Sequence, residues 1–154
     1  MTMTTTIRRA TEADVDAIAP LFDAYRQFYR QPPDLTRAGM FLQQRLSRGE
    51  SMVLVAEVDG RAAGFAQVFP MFSSVRTSRI SVLNDLFVDA GARRRGIARA
   101  LLDAAAAHAR DDGAVRIVLE TGRDNTTARA LYRAAGWQEE DSQWYGLDLG
   151  RPVE

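Results

Sequence analysis

The chain has no cysteine and no lysine among its 154 residues. The first absence removes disulfides, thiolate metal sites and any acyl-cysteine intermediate. The second removes Schiff-base chemistry, because all 20 basic side chains are arginine. An equal number of acidic residues brings the formal net charge to zero, which argues against the broad basic face that nucleic-acid binding needs. No apolar run reaches the roughly 18–20 residues that span a bilayer, so no membrane partner is expected. Met1 to Thr6 lacks the charged start and apolar core of a signal peptide, and a cytoplasmic location is expected. What is present suits one domain, residues 1–154, large enough to bury roughly 70% of its extended surface without a covalent staple.

The hydrophobic pattern supplies the elements. Thr11-Glu12-Ala13-Asp14 reads as a capped helix start. Val15, Ile18, Leu21, Phe22 and Tyr25 follow at helical spacing. Pro32-Pro33 interrupts the chain, and Asp34 is placed to cap a second helix. Met52 to Val58 and Ala62 to Phe69 read as strands joined by the tight turn Asp59-Gly60. A polar connection, 73–79, leads to a third strand, Ile80 to Val88. An alanine-rich helix ends at Asp112-Gly113. It is followed by a short strand, Val115 to Glu120, a helix beginning at Asn125 and stopping at Gly136, and a final strand, Gln143 to Leu149. This order predicts an α/β fold, with an antiparallel meander running into parallel strand–helix–strand units and helices on both sheet faces.

The most informative stretch is Arg93-Arg94-Arg95-Gly96-Ile97-Ala98, between the third strand and the alanine-rich helix. Glycine lets a ligand oxygen approach the backbone with no Cβ in the way. The first turn of the helix offers N–H groups with no intrahelical partner, at the positive end of the helix dipole. Strand, basic glycine loop and helix start together describe a socket for a polyphosphate.

Three separated pieces make the chain resemble the GNAT superfamily of N-acetyltransferases over roughly residues 7–149. They are Leu83-Asn84-Asp85-Leu86-Phe87-Val88 with the Arg93–Ala98 loop, Asn125-Thr126-Thr127-Ala128-Arg129-Ala130-Leu131-Tyr132, and Ala135-Gly136-Trp137. The loop matches the family's (Gln/Arg)-x-x-Gly-x-(Gly/Ala) motif, with Ala98 in place of the common glycine. The resemblance implies a three-layer α-β-α fold with a central mixed, splayed sheet. It implies acetyl-CoA as cosubstrate and no metal. Backbone groups of Leu86, Phe87 and Val88 would pair with the pantetheine arm. The segment Arg93, Arg94, Arg95, Gly96, Ile97, Ala98 and Arg99 would hold the diphosphate, and Asn125 and Ala128 would lie along the arm. Dimerisation is common in the family, so a homodimer is expected.

Direct acetyl transfer to an amine needs a base to remove the ammonium proton and an acid to protonate the departing thiolate. Tyr132, two turns after Asn125 on one helix face, is the candidate acid. The base is open. Relatives acting on polyamines often carry glutamate at the position of Asn84, which cannot take a proton. Asp85 is adjacent, but strand alternation sends it to the opposite face. Glu120 and a water chain are further candidates. Tyr29 and Phe28, late in the first helix, are candidate contacts for a small-molecule amine acceptor. His108, near a helix end, reads as a surface or dipole partner. Trp144 and Tyr145 read as sheet packing or a dimer contact. A protein lysine or N-terminal acceptor, and a non-catalytic acyl-CoA sensor, are the alternative functions.

Overall fold

A computed structural model describes residues 3–151. Its sheet has five strands, β1 (Thr5–Arg9), β2 (Met52–Val58), β3 (Arg61–Ser73), β4 (Ser78–Val88) and β5 (Ile117–Val118), lying side by side in chain order. The first four form an antiparallel meander, and β4 and β5 are parallel. Between β1 and β2 come helices α1 (Val15–Phe28) and α2 (Leu35–Ser47). Helix α3 (Ile97–Asp111) makes the crossover from β4 to β5, and α4 (Thr126–Ala134) follows β5.

Side-chain alternation along the strands divides the core into two layers. Val53, Val55 and Phe65 pack with Ile18, Leu21 and Phe22 of α1 and with Ala38 and Leu42 of α2. Leu54, Ala56 and Ala66 point the other way, onto Ile97, Leu101, Leu102 and Ala105 of α3. Complete burial of a leucine such as Leu101 contributes about 1.5–3 kcal/mol. Local chemistry fixes the ends of these elements. Asp14 accepts from the Thr11 N–H at 2.7 Å ahead of α1, and Asp34 accepts from the Arg37 N–H at 3.0 Å to cap α2. The β2–β3 turn holds Asp59 and Gly60 at φ 50° and 80°, the positive pair a two-residue hairpin of this hand requires.

Three elements depart from the sequence expectation. Strand β1 lies outside the elements that the hydrophobic pattern supplies. Its sequence Thr-Thr-Ile-Arg-Arg carries one apolar residue, so no alternation betrays it, and it forms because β2 offers a free edge. The predicted strand Val115–Glu120 shrinks to Ile117–Val118, because the chain leaves β4 after the pairs Ser81–Ile117 and Val82–Val118. The predicted final strand, Gln143–Leu149, is not formed. Those residues are exposed and lie in no sheet, because a strand needs a neighbour for its backbone groups and none lies beside them here.

Candidate active site

The site begins with an irregularity in β4. Gln67 pairs with Asp85 and Val68 pairs with Leu83, so Asn84 is an extra residue, a β-bulge. The bulge resets strand alternation, and this corrects the expectation that Asn84 and Asp85 face opposite ways. The Asn84 Nδ2 donates to Asp85 Oδ1 at 2.9 Å. Backbone groups shift parity as well. The Ser81 N–H donates across to Arg116 O on the β5 side, whereas beyond the bulge the Asp89 N–H donates to Ala63 O on the β3 side. Alternation from Asp89 therefore directs the N–H groups of Leu86 and Val88 towards β5. Since β5 pairs with β4 only at Ser81 and Val82, these groups line a gap between the diverging strands. The splay implied by the family resemblance has this as its local cause.

Asp85 is 2% exposed and held by a polar chain. Gln67 Nε2 donates to Asp85 Oδ2 at 2.6 Å, and Ser51 Oγ donates to Gln67 Oε1 at 2.8 Å. The Tyr25 hydroxyl donates to the Asn84 carbonyl at 3.0 Å. Burial raises the Asp85 pKa above the ordinary carboxylate range, and hydrogen bonds from Gln67, Asn84 and Tyr25 oppose that rise only in part. Burial also raises Tyr25, with the Asp85 charge adding to the effect. Tyr132 is raised first by burial and then by Tyr29, and Tyr132 contributes in turn to Tyr25. Tyr25 thus lies within electrostatic reach of Asp85, Tyr29 and Tyr132, and Tyr132 within reach of Tyr29. The sequence places Tyr25 late in α1, as core or as a wall of the acceptor pocket, and gives no role to Gln67 or Ser51. The available signal was Gln67 itself, a polar residue inside the apolar run Ala62–Phe69.

The remaining candidates fall into place around this group. The Tyr29 ring meets Tyr25 edge-on at 5.1 Å and Phe28 at 5.2 Å, and both Tyr29 and Phe28 are exposed at the end of α1. Tyr132 packs its half-buried ring near Trp137 at 6.3 Å. Asn125 caps α4, its side chain accepting from the Ala128 N–H at 3.4 Å. Arg93 turns back on β4, donating to the Val88 carbonyl at 3.1 Å with its guanidinium 5.7 Å from the Phe87 ring centre. Glu120 is exposed past the end of β5. His108 accepts from Arg9 Nε at 2.9 Å, and the same arginine bridges Asp112.

The loop after β4 has the backbone of an anion cradle. Arg94 and Gly96 adopt positive φ, 66° and 75°, so successive N–H groups turn to one side ahead of the first turn of α3. A Cβ built on Gly96 would have nothing within 4 Å, and Arg94, Arg95 and Arg99 are exposed around it. These observations fit a diphosphate. Among the described residues no group of three or more His, Cys, Asp or Glu could hold a metal ion. No described helix is long and apolar enough to cross a membrane.

A splayed parallel pair, a bulged strand and a phosphate cradle at the next helix define an acyl-CoA-dependent acetyltransferase fold. The comparisons agree. Residues 15–137 match the acetyltransferase (GNAT) family, and the chain belongs to that family. It is 48% identical to an uncharacterized N-acetyltransferase, YhfO, of Bacillus subtilis, over 87% of this chain and 90% of that one. It is 31% identical to an aminoglycoside N(6')-acetyltransferase type 1 of Stenotrophomonas maltophilia, over 91% and 90% of the two chains. A crystal structure of a probable acetyltransferase superposes with a TM-score of 0.89 at 37% identity, covering 96% of this chain and 99% of that one. The chain is an N-acetyltransferase of the GNAT type, a family that takes its acetyl group from acetyl-CoA.

Proposed function

We propose that this enzyme acetylates the primary amine of a small metabolite or amino acid by direct transfer from acetyl-CoA. The observation that carries the reading is the buried Asp85 carboxylate beside Tyr25, whose hydroxyl in turn lies within electrostatic reach of Tyr132. When bound, acetyl-CoA supplies the acetyl thioester. The amides from Arg94 to Arg99 would hold its diphosphate, and Leu86, Phe87 and Val88, with Asn125 and Ala128, would hold its pantetheine arm. The Leu86 and Val88 N–H groups, turned into the gap by the bulge, are the donors available to a developing oxyanion.

Asp85 takes the ammonium proton, directly or through the Tyr25 hydroxyl. A carboxylate whose pKa is raised by burial is a stronger base than an exposed one, which suits that task. Asn84 positions it from the side. Tyr132 keeps its proton at every working pH because burial raises its pKa, and it delivers that proton to the departing thiolate. Tyr29 and Phe28 form an aromatic wall for the acceptor. The absence of cysteine agrees with direct transfer. The aminoglycoside-acetylating relative, similar over nine-tenths of the chain, favours a small polar amine over a protein.

The test is release of CoA thiol across matched panels of small primary amines and lysine or N-terminal peptides. Turnover on at least one small amine is expected, and Tyr132→Phe should lower kcat about 10²-fold while KM for acetyl-CoA stays near its original value. Turnover confined to peptides would overturn the acceptor class. CoA binding with no turnover on either panel would leave a sensor.

A further inference from the structure

Gln67 is 1% exposed and lies on the α1–α2 face of the sheet. Its cross-strand partners are Val53 of β2, which belongs to that apolar layer, and Asp85 of β4. An apolar side chain of similar size would fill the place with no amide to satisfy, so packing alone does not call for glutamine. The amide has a partner at each end. Its Nε2 donates to Asp85 Oδ2 at 2.6 Å, and its Oε1 accepts from Ser51 Oγ at 2.8 Å. Ser51 is half-buried and directly precedes β2, so a polar row crosses the sheet from the start of β2 to the carboxylate.

The row has a direction. An ionised carboxylate only accepts, and away from water each of its oxygens needs a donor. Asn84 Nδ2 serves Oδ1 at 2.9 Å, and Gln67 Nε2 serves Oδ2. A glutamine amide can present either end to a neighbour. The Ser51 hydroxyl donates to Oε1, which leaves the Nε2 end for the anion. Bonds in such a row polarise one another, and they are strongest when the row ends on a charge. Around Asp85 the causes of its shift are burial, Gln67, Asn84 and Tyr25 of α1, while Tyr29 and Tyr132 act on Tyr25. Charged groups on the packed helices are engaged elsewhere, Asp23 of α1 with Arg26 at 2.7 Å and Arg45 of α2 with Glu50 at 3.0 Å. Hydrogen bonds, not a counter-charge, are what keep this buried carboxylate able to ionise.

We propose that Gln67, anchored by Ser51, is the positioning residue for the base, holding the Asp85 carboxylate in the form and orientation that accept the ammonium proton. The inference rests on the reading of Asp85 as that base. Burial makes Asp85 a stronger base than an exposed carboxylate, and the Gln67 donor limits the rise so that the group still ionises at working pH.

Two readouts test it. A carbon-13 NMR titration of the Asp85 carboxyl, assigned by loss of its signal in Asp85→Asn, follows the row with no substrate present. The kcat–pH profile on a small amine that the enzyme turns over follows the base. Gln67→Met removes the donor, and both the titration and the acid limb of kcat should move to higher pH by about one unit. Ser51→Ala should move both the same way by less, and Ser51→Thr, which restores the hydroxyl, should return both to the parent's position. KM for acetyl-CoA and the circular dichroism spectrum should stay unchanged throughout. The Ser51 pair keeps the test decisive if Gln67→Met does not fold. A lower melting temperature with titration and acid limb both in place makes the row structural, which overturns the inference and leaves Asp85 as the base. A titration that moves while the acid limb stays, or an acid limb that survives Asp85→Asn, overturns the base reading and the inference with it.

Discussion

Asn84 and Asp85 are neighbours on a strand, yet the amide of one donates to the carboxylate of the other at 2.9 Å. Regular alternation would put their side chains on opposite faces, and the bulge at Asn84 brings them together. One extra residue therefore does three things. It aims Asp85 at the aromatic end of α1, it turns the Leu86 and Val88 amides into the gap, and it bends β4 away from β5.

Asp85→Asn should reduce kcat by about 10²–10⁴-fold and remove the acid limb of the kcat–pH profile. Its effect on stability has a definite sign. The folded-state pKa lies above the unfolded one, so the protonated carboxyl favours the fold. That contribution is complete below the ordinary carboxylate pKa and is lost as pH rises through the elevated value. The stability difference between the parent and Asp85→Asn, measured in urea, should therefore shift against the parent across that interval and level off above it.

Gly96→Ala should weaken the cradle. The substitution meets open space, but φ of 75° is left-handed, and a Cβ there costs about 1–2 kcal/mol. On the proposed reading the same Cβ would stand where the diphosphate oxygens approach. A raised KM for acetyl-CoA with little change in KM for the amine is expected from initial-rate kinetics.

Gly64→Ala tests the coupling between β3 and the cofactor strand. The new Cβ would lie 2.9 Å from the Phe87 carbonyl oxygen and 3.3 Å from Leu101 Cδ1. Backbone has to move, so a loss of about 1–3 kcal/mol in denaturant unfolding is expected. The displaced β4 should raise KM for acetyl-CoA as well.

Asp14→Asn should blunt the acid sensitivity of the N-terminal elements. The Arg8 guanidinium, 2.8 Å away, holds the Asp14 carboxyl down to about 2, with the Thr11 N–H assisting. A depressed pKa stabilises the fold above the unfolded-state value and loses that contribution as pH falls towards 2. The melting temperature of Asp14→Asn should be lower than the parent's at pH 7, and the two should converge near pH 2.

Much of this was legible in the chain. Helices α1 to α4 follow from apolar spacing, caps and glycine stops, all of which act within a few residues. The Asp59-Gly60 turn and the cradle before α3 are likewise local. Strand β1 and the unformed 143–149 strand show the opposite case. Thr5–Arg9 lacks a strand's pattern and forms one, while Tyr145, Leu147 and Leu149 have the pattern and do not. In both cases the available edge decides, and an edge belongs to the assembled sheet.

The site divides in the same way. The sequence determined the family, the glycine loop before α3 and the positions of Tyr132 and Asn125, because each depends on residue type at short range. Only the tertiary structure decided that Asp85 is buried among Gln67, Asn84 and Tyr25. That arrangement depends on the register of β3 against β4, where a single unmatched residue reverses the direction of every side chain and amide beyond it.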